Sequence, residues 1–125
     1  MRHQHKPVLY VVDCGGCTAL AGIPPNGVSD IFVSALTNAG ATVVQMASHH
    51  FPGAGLTTVL ILAESHAVLH SWPETGTVHL DIFSCSTGLD SRAAIDDMAR
   101  ALGAASVSIQ EVRRADGHSL ALDGA

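Results

Sequence analysis

Apolar residues along the chain occur in short runs bounded by turn residues, a pattern that predicts several strands. The segment from Val8 to Asp13 is apolar and β-branched, which is typical of a buried strand. The stretches PGAG and PETG each separate two such runs and predict tight hairpin connections. The other predicted strands are ATVVQMASHHF, LTTVLILAES, HAVLHSW, TVHLDIFSC and SVSIQEV.

Two segments instead repeat their apolar residues at helical spacing. The first helix is expected to begin near Asn26 or Ser29, either of which can cap it, and Gly40 fits the position after its last turn. The second is predicted from Ser91 to Leu102, with Asp90 as its cap. The apolar stripes are Val28, Ile31, Phe32, Ala35 and Ala39 in the first helix, and Ile95, Met98, Ala99 and Leu102 in the second.

These elements predict an α/β (α+β) fold of two layers. Strands joined by hairpins form a mostly antiparallel sheet, and two helices can cover only one face of it. The chain has 125 residues and 47% apolar residues, which is enough for a single domain, residues 1–125, with one core. The bare face of the sheet needs another layer, which a second copy of the chain supplies most simply.

Charge and cysteine content exclude several classes of function. With 11 acidic against 6 basic residues, the net charge of −5 argues against binding to nucleic acid or to an anionic membrane surface. No apolar run reaches the roughly 18 residues of a membrane span, and no signal peptide is evident, so we expect a cytoplasmic protein. The odd number of cysteines, 3, argues against a disulfide framework.

Polar residues are concentrated in one segment, LAESHAVLHSWPETGTVHLDIFSC, residues 62–85. If this hairpin closes at PETG, alternation places its histidines on one face and returns Cys85 beside Glu64 and Ser65. A hydroxyl, an imidazole and a thiol are then expected to converge at that end. The expected cross-strand pairs are Trp72 with Thr77, His70 with His79, and His66 with Phe83.

The residues alone leave simpler interpretations open. A histidine or cysteine on a mostly apolar strand is most often an ordinary core or interface residue. The sequence CGGC, Cys14 to Cys17, fits either a redox pair or a loop with two incidental thiols, and Pro24-Pro25 interrupts any long helix that could begin there. A zinc site is a further alternative, with His66, His70, His79 and Cys85 as ligand types.

The combination ESHAVLHSWPETG followed by DIFSC resembles the bacterial and archaeal S-adenosylmethionine decarboxylases. Their signature runs Glu-Ser-His, three residues, His, one residue, Trp-Pro-Glu, and then Asp-x-Phe-x-Cys. The likeness is close over residues 39–88, and the predicted order of elements outside that range agrees with it. Several parts at fixed spacing make the resemblance far more specific than any single triplet.

The resemblance implies a zymogen that cuts itself between Glu64 and Ser65. In this family the serine hydroxyl attacks the preceding carbonyl, and elimination and hydrolysis leave a pyruvoyl group in place of Ser65. The expected products are a β chain of residues 1–64 and an α chain of residues 65–125. His70 matches the histidine that acts as base in processing, and Thr57 stands where the family commonly has a serine that assists it.

The implied reaction is pyruvoyl-dependent decarboxylation of S-adenosylmethionine through a Schiff base, without a metal, to the aminopropyl donor of polyamine biosynthesis. Cys85 matches the acid that reprotonates the product. Phe51 and Trp72 match positions lining the adenosine pocket, and Glu74 matches the carboxylate that binds the ribose hydroxyls. The family's active sites lie at a homodimer interface, with the residue matching Phe51 contributed by the other protomer.

Two other functions remain as alternatives. Some relatives of the family are thought to decarboxylate a basic amino acid such as arginine or ornithine, although Trp72 and Glu74 favour a nucleoside substrate. The alternative from another class is a non-catalytic, redox or metal-binding module built on Cys14 and Cys17.

Overall fold

The computed structural model describes residues 7–85 and 88–115 of the chain. Each predicted strand and helix is present in this part, and a single 3-10 turn, Leu20–Gly22, precedes the first helix. The elements in chain order are β1 (Val8–Gly15), α1 (Pro25–Asn38), β2 (Val43–His50), β3 (Leu56–Leu62), β4 (Ser65–Trp72), β5 (Thr77–Ser84), α2 (Ser91–Leu102) and β6 (Ser106–Arg113).

Helix α1 begins earlier than predicted, at Pro25, and no side chain caps it. The expectation of a cap at Asn26 or Ser29 is therefore wrong. Proline suits the first helical position because its φ is already helical and it has no N–H to leave unpaired. Ser29 is buried instead, and its hydroxyl bonds Thr58 of β3 at 2.8 Å, which fixes α1 to the sheet.

The predicted bounds of helix α2, Ser91 to Leu102, and its predicted cap at Asp90 are confirmed. The Asp90 carboxylate accepts a hydrogen bond from the backbone N–H of Ala93 at 3.1 Å, which satisfies one of the first unpaired donors of the helix. Gly103 follows the last turn with φ of 67°, a left-handed conformation that glycine adopts without strain. The two predicted ends of α2 are thus set by local chemistry.

The described strands pair antiparallel in the order β2-β3-β4-β5-β1-β6. The predicted hairpin register is confirmed, with Trp72 opposite Thr77, His70 opposite His79 and His66 opposite Phe83. Alternate residues of β1, β3, β4 and β5 join both helices in one core, in which the largest fully buried side chains include Phe32, Leu60, Leu80 and Met98. This is the predicted two-layer arrangement, with both helices on one face.

The opposite face, here called the open face, carries the remaining alternate residues of the strands. It includes exposed apolar side chains such as Ile61, Trp72 and Val112, together with the histidines of β4 and β5. Within residues 7–85 and 88–115, no helix is both long and apolar enough to cross a bilayer. The polar segment singled out from the sequence therefore lies on the face that the helices leave uncovered.

Candidate active site

The link between β3 and β4 is a two-residue turn formed by Ala63 and Glu64. Leu62 and Ser65 pair across it, so β3 ends earlier than the predicted run LTTVLILAES. Glu64 has φ of 64°, in the left-handed region where a Cβ is crowded and where glycine or asparagine is usual. Such a conformation costs on the order of 1–2 kcal/mol. The backbone is therefore strained at the residue directly before Ser65.

Cys85 lies across the hairpin from this turn. The pairing of Ser65 with Ser84 brings the next residue, Cys85, to the turn, and its thiol donates to the carbonyl oxygen of Glu64 with Sγ 2.5 Å from it. A donor at a carbonyl oxygen stabilises the negative charge that develops there during nucleophilic attack. The predicted return of Cys85 to the Glu64–Ser65 bond is confirmed.

The side chain of Ser65 belongs to the helix-facing set of β4, with Ala67 and Leu69. Ser65 borders a cleft of about 230 Å³ between the β3–β4 turn and the segments that follow α1 and precede α2. The cleft makes the Glu64–Ser65 bond accessible from the helix side. Its lining residues are Gly40, Ala41, Thr42, Leu62, Ala63, Glu64, Ser65 and Leu89.

A second group of side chains lies toward the other end of β4, on the open face. Thr57 of β3 is directly opposite His70, and its Oγ1 is 2.9 Å from His70 Nδ1. The indole of Trp72 packs against two imidazoles, with ring centroids 5.9 Å from His70 and 4.8 Å from His79. Aromatic rings attract one another at such distances. These four residues therefore form one connected group.

Phe51 and Glu74 lie in the loops at this same end of the sheet. Phe51 is 48% exposed, and its ring meets that of His49 edge to face with centroids 4.6 Å apart. Its backbone N–H donates to the Gly55 carbonyl at 2.8 Å, which closes the short loop between β2 and β3. Glu74 is exposed in the turn between β4 and β5. The Phe51 ring and the Glu74 carboxylate are thus both exposed to solvent at this end of the sheet.

The two groups are far apart within one chain. His70 lies five positions beyond Ser65 on the same extended strand, which corresponds to about 17 Å at roughly 3.4 Å per residue. The imidazole next to Ser65 is that of His66, whose ring stacks on Phe83 at 5.2 Å. We call Glu64, Ser65 and Cys85 the turn end of the sheet, and Phe51, Thr57, His70, Trp72 and Glu74 the aromatic end.

Cys14 and Cys17 are buried in the core. Burial raises the pKa of each thiol, and for Cys14, whose ionisation is also opposed by the negative charges of Cys17 and Asp13, the pKa is raised to about 11. A reactive Cys-x-x-Cys pair requires the opposite, a lowered pKa at an accessible position. Among the residues that the structure describes, no group of three or more histidine, cysteine or acidic side chains is arranged to hold a metal ion. The pair is best explained as core packing.

Asp13 is a residue of the open face that sequence reasoning did not assign. It is directly opposite His79 in the pairing of β1 with β5, and its Oδ1 lies 3.7 Å from His79 Nε2. Alternation within β1 indicates that Asp13 shares a face with Val11 and Leu9. The residue that lies opposite Asp13 on the adjacent strand could not be predicted, because β1 and β5 are distant in sequence.

Comparison of the sequence with known proteins identifies the family of this chain. The family model of S-adenosylmethionine decarboxylase matches residues 9–115. The chain belongs to this family. The S-adenosylmethionine decarboxylase proenzyme of Acidithiobacillus ferrooxidans is 34% identical over 110 residues, covering 88% of this chain and 80% of that protein. The proenzyme of Shouchella clausii is 36% identical over 90 residues, covering 72% of this chain and 70% of that protein.

The fold agrees with that of a solved structure described as the adenosylmethionine decarboxylase from Aquifex aeolicus. The two superpose with a TM-score of 0.78 at 21% identity, over 90% of this chain and 92% of the other. The expected fold, an antiparallel sheet with two helices on one face, is therefore confirmed as that of the S-adenosylmethionine decarboxylase family. In this family member, the sequence motif is divided between the turn end and the aromatic end.

Proposed function

We propose that this chain is a pyruvoyl-dependent decarboxylase of S-adenosylmethionine that first cleaves itself between Glu64 and Ser65. The observation that carries the proposal is the state of that peptide bond. Glu64 holds a left-handed φ, and its carbonyl accepts a hydrogen bond from the Cys85 thiol. Strain before the bond and stabilisation of charge on its oxygen both lower the barrier to attack by the Ser65 hydroxyl.

The cleavage would use groups that the chain itself carries. Ser65 Oγ bonds to the carbonyl carbon of Glu64 as the C–N bond breaks, and the hydroxyl proton passes to the freed amine, which gives an ester. Removal of the Cα proton of residue 65 then expels the Glu64 carboxylate and leaves dehydroalanine. Hydrolysis of dehydroalanine releases ammonia and leaves the pyruvoyl group, on an α chain of residues 65–125 beside a β chain of residues 1–64.

The surroundings of position 65 fit a pyruvoyl group. Such a group supplies a carbonyl that withdraws electrons from the carbon losing carbon dioxide. The cleft of about 230 Å³ beside Ser65 leaves room for the new chain end. Cys85 lies at the adjacent carbonyl, and a thiol ordinarily keeps its proton at neutral pH yet can give it up. Cys85 is therefore suited to protonate the product carbon.

The aromatic end supports a nucleoside substrate over a basic amino acid. Trp72 and Phe51 are both partly exposed, at 38% and 48%, and their rings offer flat faces on which adenine can stack. Glu74 is exposed in the turn that follows Trp72, and a carboxylate can accept hydrogen bonds from both ribose hydroxyls. Arginine and ornithine have neither adenine nor ribose, so these groups would have no purpose with them.

A homodimer is part of the proposal, because one chain does not bring the two ends together. The open face carries exposed apolar side chains such as Ile61 and Val112, at 46% and 42%, and a second copy would remove them from water. Two copies packed face to face in opposite directions would bring the turn end of one to the aromatic end of its partner. Thr57 and His70 of the partner subunit would then approach the backbone of the Glu64–Ser65 bond of the first from the open face.

Intact-mass analysis of the purified protein, with a decarboxylation assay, tests the proposal. We expect the 12.9 kDa chain to be replaced by two fragments, the α chain lighter by one ammonia than a chain beginning with serine. Carbon dioxide should be released from S-adenosylmethionine and not from arginine or ornithine. Ser65→Ala should stay uncleaved and inactive.

The matched control is Ser71→Ala on the same strand. Ser71 is buried and its hydroxyl has no hydrogen-bond partner among residues 7–85 and 88–115, so its removal should leave cleavage and activity as in the wild type. A wild-type chain that stays intact after long incubation would overturn the proposal.

A further inference from the structure

Asp13, His79 and Trp72 form a line of side chains across three neighbouring strands of the open face. Asp13 Oδ1 lies 3.7 Å from His79 Nε2. The ring of His79 meets the indole of Trp72 with centroids 4.8 Å apart and planes at 66°, which is edge-to-face geometry. Neither Asp13 nor His79 has a part in the proposed chemistry. The line nevertheless ends at the Trp72 indole, which in the proposed function binds the substrate.

Trp72 lies at the end of β4 and is 38% exposed. Contacts with neighbouring side chains therefore decide how far its indole can turn. Thr77 is directly opposite Trp72, but its hydroxyl accepts a hydrogen bond from Thr75 at 2.9 Å. On its own strand Trp72 has His70, farther away at 5.9 Å. His79 is the closer ring, and it reaches Trp72 along the diagonal between neighbouring strands that aromatic side chains can span.

Asp13 is in turn the carboxylate nearest to the ring of His79 in this line of side chains. An imidazole on an exposed face can turn about its side-chain bonds, and a carboxylate beside one ring nitrogen favours the orientation that directs that nitrogen toward it. The two residues are directly opposite each other in the register of β1 and β5. The sheet therefore holds the carboxylate, the imidazole and the indole at fixed spacing.

We propose that His79, oriented by Asp13, is a positioning residue that fixes the Trp72 indole as a preformed stacking surface for the adenine of the substrate. The identity of the ligand rests on the proposed function, whereas the support of Trp72 rests on side-chain geometry alone. A preformed surface reduces the ordering cost of binding. Its loss should therefore raise KM and leave kcat nearly unchanged.

Fluorescence tests the support of Trp72 without any ligand or turnover, because Trp72 is the single tryptophan of the chain. In His79→Ala, the time-resolved anisotropy of Trp72 should show a larger fast component than in the wild type, and Asp13→Asn should lie between the two. The matched control is Ser108→Ala, since Ser108 pairs with Asp13 on the side away from Trp72. Unchanged anisotropy in His79→Ala would overturn the proposal.

Steady-state kinetics then test the consequence for the substrate, with rates normalised to the cleaved fraction of each variant. His79→Ala should raise KM for S-adenosylmethionine about 3- to 10-fold, the loss expected for one aromatic contact, with kcat within about twofold. His79→Phe keeps a ring in edge-to-face contact and should recover most of the KM. A fall in kcat at constant KM would show that His79 acts otherwise and refute the positioning role.

The two tests separate the inference from the proposed function. A wild-type protein that cleaves but does not turn over S-adenosylmethionine would refute the substrate assignment. The anisotropy of His79→Ala would still decide whether His79 holds Trp72.

Discussion

The turn end and the aromatic end of the sheet differ in what makes each of them distinctive. At the turn end, the distinctive feature is the backbone: a left-handed Glu64 and a carbonyl held by Cys85. At the aromatic end, the backbone is regular and the side chains are joined to one another, as in the Thr57–His70 hydrogen bond and the packing of Trp72. Breaking a peptide bond requires local distortion, whereas binding a flat ligand requires a rigid surface. In the proposed function, the hairpin β3–β4 supplies both, at opposite ends.

The largest expected effect comes from placing a substitution at the turn end and a substitution at the aromatic end on different chains of one dimer. Ser65→Ala should abolish activity, and His70→Ala should reduce it by about 10²- to 10⁴-fold, as for loss of a general base. When the two variants are combined in mixed dimers, one site keeps both Ser65 and His70, because in the proposed homodimer they come from different subunits. Mixed dimers should therefore have about half of the wild-type activity, an estimate that follows from one intact site in two.

Cleavage in the same mixed dimers gives an independent measurement. Only the chain carrying His70→Ala should be cut, because it alone retains Ser65. If the mixture stays as inactive as the separate variants, the two ends do not combine across subunits.

The comparison also extends to the thiols, because Cys85 belongs to the turn end and Cys14 to the core. Burial raises the pKa of Cys14 from 9.0 to about 11, so the folded protein keeps this proton at a pH where the unfolded chain has lost it. The free energy of unfolding should then fall as the pH rises from about 9 to about 11, by roughly 2–3 kcal/mol in total. Urea unfolding at several pH values measures this slope.

The unfolding experiment uses the Ser65→Ala chain, which stays in one piece. Adding Cys14→Ala should flatten the decrease above pH 9, whereas adding Ser108→Ala, which removes no titratable group, should leave it in place. An equal slope in all three proteins would show that Cys14 is not the titrating group.

A smaller effect is expected from relieving the strain at the turn end. Glu64→Gly removes the crowded Cβ but adds backbone freedom to the unfolded chain, so the net gain in the free energy of unfolding should be about 0.5–1 kcal/mol. With Ser65 present, the same change should slow self-cleavage by about two- to fivefold, since less strain is released in the attack. Stopped reactions followed by mass spectrometry give the rate.

Ala54→Gly is the matched control for this change. Ala54, in the loop between β2 and β3, also has a positive φ, of 72°. Its replacement should stabilise the fold to a similar degree without changing the cleavage rate. Equal slowing by both substitutions would mean that global stability, and not strain at Glu64, governs the reaction.

Local features of the fold could be predicted from the sequence because their causes are local. Helix α2 was fully defined by Asp90 and its apolar stripe, and the register of β4 with β5 followed from the PETG turn. The pairing of β1 with β5 and β6 could not be predicted, because it joins segments distant along the chain. The Asp13–His79 contact was missed for the same reason.

For the candidate site, the sequence proposes a set of residues but predicts only part of their arrangement. The motif selected Ser65, His70 and Cys85, and the hairpin geometry brought Cys85 to the Glu64 carbonyl as expected. The left-handed φ of Glu64 is not visible in the sequence, since glutamate has no preference for it. The distance from Ser65 to His70 is contained in the sequence, because five positions along one strand fix it.

The strand order has a consequence for how the protein could fold before and after a cut at the Glu64–Ser65 bond. Strand β1 precedes Glu64 in the chain, yet it lies between β5 and β6, which both follow Ser65. A cut at this bond would leave two polypeptides whose strands interleave in one sheet. Unfolding would then let them diffuse apart, and regaining the native state would require a second-order encounter in place of a unimolecular search. Such a protein must be assembled as one chain before it works as two.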